Sequence, residues 1–520
     1  MDGGTLAVTA WRVRVAMLVA GVGVLSGCTA GPSSRPEIIT NDGAAASTTQ
    51  TIAPNEVPPL ENADSGILWR NCSGEMADIL AAQKLPAWLP VKCGKVNGVL
   101  DSPYAPDRGT VRLQLVRAGS GPVPIAVVND VDGLPGTVYA ARLAAALPQE
   151  FFKKFQLIGM DRRGTGNSAA ANCVPVEVRR AMFELDPTAM DVDAWFQAAQ
   201  TAGKQCSIVL ESQLPALDTW RTAADLDSLR TALGVSRLNA VGHGEGSRVV
   251  SMFADRFPDR VGRLVLDGVP DPTADALLAY EGVAKGGEAA WDAFSADCVQ
   301  RSCPLGTDPE RTLLELLGQL RTDPLPTAAL DVTAGAAMHA VLIGLADRGT
   351  WPELADALAA AKNRDPRGLV GILDPYAVGS DVQAPVLDGT LVTTCNDMHT
   401  RLSPDQVKTS SNEWMQKYPL FGPVTAQRVA YCAPWSIPDH PLPTPTGRGA
   451  PPILVLGTAS DAVTPMEGTE RAAQQLDSGV LVTWQGAGHG ALGFSPCVTD
   501  AATKFLTDAA VPRNGTVCPP

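Results

Sequence analysis

A glycine-flanked pentapeptide has the spacing of a nucleophile motif but lacks the nucleophile. The pattern G-x-S-x-G holds a reactive serine in a sharp turn between a strand and a helix. In this chain the pentapeptide reads Gly242-His243-Gly244-Glu245-Gly246, so both outer glycines are present and Gly244 stands at the serine position. Because glycine has no side chain, this position offers no group that could attack a substrate.

The residues on either side of the pentapeptide fit such a turn. The apolar run 238–241 predicts a strand before it, and residues 247–256 predict a helix after it. Ser247 lies about one helical turn beyond Gly244, and we expect its hydroxyl to serve as a helix cap or a packing group. A nucleophilic Ser247 is the alternative interpretation.

Two further residues lie where the acid and base of a triad would follow such a nucleophile in chain order. Asp461 comes just after the predicted strand 453–456, and His489 lies in a glycine-rich loop after the predicted strand 480–483. Either residue alone would be interpreted as an ordinary surface or core residue. Their order and their places behind successive strands predict a triad acid and base.

The hydrophobic pattern predicts an α/β fold with a mostly parallel sheet. Between residues 63 and 271 short apolar runs alternate with helical patterns, which is typical of a parallel sheet covered on both faces. Residues 272–385 have helical periodicity and predict an inserted helical lid, and residues 386–520 predict the second part of the core. The predicted strands are 111–116, 125–128, 155–160, 238–241, 263–266, 453–456 and 480–483, and the main predicted helices are 191–206, 219–233 and 500–508.

The N-terminus has the features of a lipoprotein signal peptide. Arg12 and Arg14 precede a short apolar stretch that ends in Leu25-Ser26-Gly27-Cys28, so residues 1–28 predict a signal peptide with Cys28 as the lipidated residue. The alternative is an uncleaved anchor. Residues 29–62, rich in Ala, Ser, Thr and Pro, predict a flexible tether. We therefore expect an exported protein that is lipid-anchored to the outer face of the plasma membrane, with release as an alternative.

The other ten cysteines are an even number, which favours disulfides in an exported chain. The chain has no C-x-x-C pair or Cys/His knuckle of the kind that binds zinc. Pairing nearest neighbours predicts Cys72–Cys93, Cys173–Cys206, Cys298–Cys303, Cys395–Cys432 and Cys497–Cys518.

The net charge argues against nucleic acid as a partner. The 520 residues carry a formal charge of −14, which would repel nucleic acid and anionic lipid surfaces. With 45% hydrophobic and 18% charged residues, the composition is that of an ordinary globular protein.

Several further motifs, in order along the chain, make it similar to a known family. They are 161–168 (DRRGTGNS), 225–230 (DLDSLR), 265–272 (VLDGVPDP), 303–305 (CPL) and 515–518 (GTVC), together with the Asp461 and His489 loops. Over most of its length after the tether, the chain resembles the secreted actinobacterial tripeptidyl aminopeptidases and the mycobacterial carboxylesterase A-like envelope proteases. The resemblance implies an α/β-hydrolase fold with a helical lid. It also implies Ser-His-Asp hydrolysis of a peptide or ester ligand. We expect no cofactor and no metal ion.

The chain departs from this family at Gly244, where the serine would stand, and at a second place that is linked to it. Where the family has a G-G-P-G-type oxyanion loop, residues 129–136 read NDVDGLPG. Asn129, Asp130 and Glu245 would lie in the oxyanion region, where hydrogen-bond donors must face developing negative charge. Asp130, Asp132 and Glu245 would bring like charge there; the alternative is that these carboxylates point outward into solvent.

Taken together, these features predict a degenerate or very weak hydrolase that retains a cleft for a peptide or ester ligand. One alternative is an active hydrolase that uses Ser247 or a water activated by His489, since residual catalysis of about 10³ over water can survive loss of a triad member. Another is a cation site built from His243, Glu245, Asp130 and Asp132. We expect Gly244→Ser to restore a nucleophile within reach of His489 with weak activity, and we expect the backbone to tolerate the serine because the flanking glycines remain.

Overall fold

The computed structural model of the protein describes residues 56–80, 84–273, 275–379, 383–438 and 442–520. The predicted signal peptide, the lipidation site at Cys28 and most of the predicted tether lie outside these residues. Among the helices that are described, none combines the length and apolar character needed to cross a membrane.

A ten-stranded, mostly parallel sheet forms the centre of the described chain. Its order is β1-β2-β3-β5-β4-β6-β7-β8-β9-β10; the pairs from β1 to β5 along this order are antiparallel, and those from β5 to β10 are parallel. The strands are β1 (Arg70–Asn71), β2 (Val91–Val99), β3 (Thr110–Ala118), β4 (Val123–Val128), β5 (Phe155–Met160), β6 (Leu238–His243), β7 (Val261–Asp267), β8 (Ile453–Ser460), β9 (Gly479–Ala487) and β10 (Thr516–Cys518).

Helices cover both faces of this sheet, which explains why the residues of β4 to β7 are all buried. Side chains of α1, α2 and α16 pack in the core on one face, and those of α5, α6 and α15 pack on the other. The helices are α1 (Ser73–Leu80), α2 (Gly136–Ala146), α3 (Val176–Glu184), α4 (Val192–Leu210), α5 (Thr219–Leu233), α6 (Glu245–Arg256), α7 (Ala276–Gln300), α8 (Pro309–Thr322), α9 (Ala334–Ala346), α10 (Trp351–Lys362), α11 (Arg367–Ala377), α12 (Val386–Asp397), α13 (Pro404–Lys417), α14 (Gly422–Ala430), α15 (Met466–Gln475) and α16 (Pro496–Asp508).

The helical region between β7 and β8 is longer than the predicted lid. Helices continue from α7 through α14 and end at Ala430, whereas the predicted lid ends at residue 385. Residues 386–430 are helical because their apolar side chains pack with α4 in a separate core, and the Cys395–Cys432 disulfide joins α12 to the end of this region. The second part of the sheet therefore begins at β8.

A buried ion pair ties the DRRGTGNS motif to α5. The guanidinium of Arg163 donates to both carboxylate oxygens of Asp225 at 2.8 and 2.7 Å, and each side chain is 1% exposed. The same guanidinium also donates to the carbonyls of Val99, Leu100 and Ala216. A buried charge must be paired and hydrogen-bonded in this way to be tolerated, so the pair fixes the loop after β5 against the adjacent helix.

The first described segment, at residues 61–64, is bound beside the amino-terminal ends of the parallel strands. The amide of Ala63 donates to the carbonyl of Pro122, just before β4, at 2.9 Å. The amide of Asp64 donates to the carbonyl of Leu233, the last residue of α5, at 3.0 Å. Glu61 accepts a 2.7 Å bond from the amide of Ser236, just before β6. The described chain therefore enters the domain at the amino-terminal ends of the parallel strands, opposite their carboxyl ends.

All five predicted cysteine pairs form disulfides in the structure: Cys72–Cys93, Cys173–Cys206, Cys298–Cys303, Cys395–Cys432 and Cys497–Cys518. Disulfides persist in oxidising compartments. They indicate an extracellular protein.

Candidate active site

Gly244 lies in a sharp turn between β6 and α6, at φ +55° and ψ −125°. Its amide donates to the carbonyl of Asp267 at 3.0 Å, and its carbonyl accepts from the amide of Ser247 at 2.8 Å. The flanking glycines permit this turn because a Cβ at Gly242 would overlap the backbone of Ser247, and one at Gly246 would overlap the backbone carbonyl of Val128. The turn thus has the geometry that presents a nucleophile, with no side chain at its apex.

The predicted acid and base come together beside this turn. Asp461 follows β8 and His489 follows β9, and Nδ1 of His489 lies 3.0 Å from Oδ2 of Asp461. Oδ1 of Asp461 also accepts the amides of Val463 and Thr464, each at 2.8 Å. These bonds hold the carboxylate in place, so the imidazole has a fixed orientation with Nε2 directed toward the elbow.

The Asp130 carboxylate occupies the space above Gly244. Both its oxygens and its Cγ would lie closer than 3.0 Å to a Cβ at position 244, a separation that such atoms essentially never show. Oδ2 of Asp130 lies 2.7 Å from Nε2 of His489, and Oδ1 accepts the amide of Glu245 at 2.6 Å. A carboxylate from the loop after β4 therefore bonds both to the base and to the backbone donor next to the vacant position.

Charge pairing dominates the electrostatics of this group. Burial alone would lower the pKa of His489, but the carboxylates of Asp461 and Asp130 raise it well above its ordinary value. Burial alone would raise the pKa of Asp130 and of Asp461, but in each the neighbouring imidazolium and backbone amides lower it. Both nitrogens of the His489 ring thus face carboxylates, which favour its protonated form.

The other predicted oxyanion residues have different places. Nδ2 of Asn129 donates to the carbonyl of Leu134 at 2.8 Å, so this amide braces its own loop. The carboxylate of Glu245 pairs with Arg248 at 3.3 Å, and only its backbone amide reaches Asp130. Asp132 is half-buried at the pocket wall, where burial and the nearby Asp130 raise its pKa to about 6. The interpretation of Asp130 as an outward-pointing carboxylate is wrong, because the charge of His489 draws it inward.

Ser247 is fully buried in α6. Within the described residues its hydroxyl has no hydrogen-bond partner, and the residue at the N-cap position is Gly244. The expected capping role is therefore wrong and packing remains. The hydroxyl makes no hydrogen bond to His489.

Sequence reasoning missed the pairing of His243 with Asp267. Nδ1 of His243 lies 3.3 Å from Oδ2 of Asp267, and its Nε2 lies 3.9 Å from Oδ2 of Asp130. The ring also stacks on Tyr139, with centroids 4.6 Å apart. The signal was present: His243 ends β6 and Asp267 ends the neighbouring parallel strand β7, and the two are register partners.

A cavity of ≈ 370 Å³ opens above this group, between the sheet and the inserted helices. Asp130 and His489 form part of its floor, and its walls include Tyr280 and Arg428. Its size and mixed apolar and charged lining are those of a small-molecule or peptide site.

The comparisons with known proteins agree with this architecture. Residues 131–333 match the family model described as alpha/beta hydrolase fold, and residues 418–518 match the model described as TAP-like protein. The serine protease Hip1 of Mycobacterium tuberculosis is 28% identical over 82% of this chain and 87% of its own length. The tripeptidyl aminopeptidase of Streptomyces coelicolor is 26% identical over 88% and 87%, and carboxylesterase B of Mycobacterium tuberculosis is 25% identical over 87% and 90%.

With its parallel sheet, elbow turn and facing His–Asp pair, the chain belongs to the α/β-hydrolase superfamily. The relatives that it resembles over most of its length are peptidases and carboxylesterases.

Proposed function

We propose that this chain is an exported, lipid-anchored member of the superfamily that has lost the serine mechanism and retains its cleft for ligand binding. One observation carries the proposal: the Asp130 carboxylate fills the space of a nucleophile side chain at Gly244. It also engages Nε2 of His489 and the amide of Glu245, the two groups that would serve a serine. A substrate carbonyl would have to displace this carboxylate to approach them.

The two alternative nucleophiles have less support. The hydroxyl of Ser247 is buried in α6 and makes no hydrogen bond to His489. A water activated by His489 needs a free Nε2 that can accept a proton, but Nε2 lies 2.7 Å from Oδ2 of Asp130, and two carboxylates raise the pKa of this ring. Both observations favour loss of hydrolysis over a change of nucleophile.

The cleft gives the retained role its chemistry. Relatives described as a serine protease, a tripeptidyl aminopeptidase and a carboxylesterase support a peptide or ester-like ligand. Lipid attachment at Cys28 is supported by the basic residues, the short apolar stretch and the Leu25-Ser26-Gly27-Cys28 sequence before the domain. Globomycin-sensitive processing and partition into detergent should both disappear in Cys28→Ala; unchanged behaviour of this variant would exclude the anchor.

Reaction with a fluorophosphonate probe tests the loss of mechanism. We expect no labelling of the wild-type protein and no acyl-enzyme burst with activated esters, while tripeptides or short esters still shift its melting temperature. The matched control is Ser247→Ala, which should behave like wild type in all three assays. Strong labelling that disappears in Ser247→Ala would overturn the proposal and identify the alternative nucleophile.

A further inference from the structure

We propose that Asp130, His243 and His489 form a binding site for a divalent transition-metal ion such as zinc. One carboxylate oxygen of Asp130 and one ring nitrogen from each histidine all lie within 4.8 Å of one another, and all three residues are buried. Two imidazoles and one carboxylate are a ligand set that zinc and related metals use when one coordination position stays open. The proposal does not depend on whether serine chemistry is lost.

Each imidazole is oriented by a carboxylate of its own. Nδ1 of His489 faces Asp461 at 3.0 Å, and Nδ1 of His243 faces Asp267 at 3.3 Å. Oδ1 of Asp267 accepts the amide of Ala491 at 2.7 Å and Oδ2 accepts the amide of Leu492 at 3.2 Å, so this carboxylate is also held in place. Metal-binding histidines are typically fixed by a carboxylate on the nitrogen that does not bind the metal.

The remaining nitrogens face one shared oxygen. Nε2 of His489 and Nε2 of His243 lie 2.7 and 3.9 Å from Oδ2 of Asp130, and the amide of Glu245 holds the other oxygen at 2.6 Å. Metal–ligand bonds of about 2.0–2.2 Å in a tetrahedral site separate ligand atoms by roughly 3.4 Å. The two distances bracket this value, and all three ligand atoms lie within 4.8 Å of one another, so modest side-chain shifts would bring them around one ion.

A glycine makes room for the second histidine. A Cβ at Gly490, where φ is +76°, would lie 2.7 Å from Oδ2 of Asp267 and 2.8 Å from Nδ1 of His243. Three buried carboxylates, those of Asp130, Asp267 and Asp461, surround two imidazoles, so a dication suits the local charge. The ion would replace the proton between Asp130 and His489 and release it to solvent. Because Asp130 and His489 line the cavity, the open position would face it.

Zinc binding by the purified chain tests the proposal. After chelation and dialysis against zinc ions, we expect one tightly held zinc per wild-type molecule by elemental analysis, a rise in melting temperature, and proton release on titration. Asp130→Asn and His243→Gln should each lower the zinc affinity at least tenfold. Loss of a residue that only supports a metal ligand usually costs about 10–100-fold, so loss of a ligand itself should cost no less. His399→Gln is the control, because His399 is an exposed histidine that also borders the cavity.

Two results would overturn the proposal. One is a wild-type protein that retains no zinc although its melting curve shows that it is folded. The other is zinc binding of equal affinity in Asp130→Asn, His243→Gln and wild type, which would place the ion elsewhere. Cobalt substitution gives a second readout, since a tetrahedral site with nitrogen ligands should produce a visible absorption band that His243→Gln removes. Neither result would alter the fluorophosphonate outcome, so the two proposals fail separately.

Discussion

The carboxylate of Asp130 lies over Gly244, in the space that a side chain at position 244 would occupy. Asp130 follows β4 and Gly244 follows β6, and these two strands are parallel neighbours in the sheet. The absence of a side chain at Gly244 and the inward carboxylate of Asp130 are thus two parts of one local arrangement. The expectation that the backbone of the turn tolerates Gly244→Ser stays a prediction, but the Asp130 side chain is an obstacle that the flanking glycines do not remove.

Restoring the nucleophile should therefore require two substitutions. Gly244→Ser alone should be destabilised by overlap with Asp130, and it should remain unlabelled by a fluorophosphonate probe. Gly244→Ser combined with Asp130→Gly should remove the overlap, free Nε2 of His489 and give measurable labelling. Activity should stay well below that of an intact enzyme, since one missing oxyanion donor costs about 10²–10³ in rate. Labelling of the single variant equal to that of the double variant would contradict this prediction.

The buried ion pair between Arg163 and Asp225 should contribute strongly to stability. Asp225→Ala leaves a buried guanidinium uncompensated, so we expect a loss of about 3–5 kcal/mol in the free energy of unfolding. Asp227→Ala is the matched control on the same helix: Asp227 pairs with Arg230 and Arg260 near the surface, and its loss should cost about 1 kcal/mol or less. Urea unfolding of both variants measures the difference, and equal costs would argue against the role of burial.

The effect of removing a disulfide should depend on the length of the loop that it closes. Cys395–Cys432 spans 37 residues and Cys298–Cys303 spans 5. Chain-entropy arguments give about 4 kcal/mol for the longer loop and about 2 kcal/mol for the shorter. Replacing both cysteines of each pair by alanine and comparing denaturant midpoints tests this order; a larger loss for the short loop would contradict it.

Asp397 should make stability depend on pH. Burial and the nearby Asp218 raise its pKa from an ordinary value of 3.8 to about 7. A carboxyl with a raised pKa stabilises the folded state fully below its unfolded pKa, and this contribution is lost as the pH rises through the folded value. The window therefore runs from about pH 4 to about pH 7, with an effect on the order of 1.4 kcal/mol per pKa unit.

The substitution Asp397→Asn tests this window. The amide can still accept the bond from the amide of Thr219, which lies 2.9 Å from Oδ1, but it does not titrate. The variant should gain stability relative to wild type between pH 4 and pH 7, and the difference should be level above that range. Chemical denaturation of both proteins at each pH isolates this residue, because contributions from other groups cancel. A difference that does not change with pH would contradict the prediction.

Much of the core could be predicted because its strands are buried on both faces. The strand Phe155–Met160 and the helix Thr219–Leu233 have the predicted bounds, since each is a plain apolar or amphipathic pattern. The strand Val91–Val99 was missed because it contains lysines and glycines. Among the glycines, Gly94 leaves room for the Trp69 ring. Tertiary packing overrides strand propensity at such positions.

The candidate site was predictable in part for a similar reason. Asp461 and His489 each follow a clear strand, so chain order predicts their meeting. The inward turn of Asp130 depends on a loop conformation and on the charge of a residue 359 positions away, which no local pattern contains. The sequence suggested a cation site at His243 and Asp130 only as an alternative and did not include His489, because the three proposed ligands lie at the ends of three different strands. Only the register of the sheet brings them together.

The way in which the chain enters the domain determines which side remains accessible when the protein is immobilised. The first described segment is held by Pro122, Leu233 and Ser236 at the edge where the parallel strands begin. The cavity opens at the opposite side, beyond the carboxyl ends of the same strands. Material joined directly at residue 56, such as a sensor chip, a bead or a fluorescent tag, therefore attaches to the domain on the side away from the cavity. N-terminal coupling should leave ligand access to the cavity unobstructed.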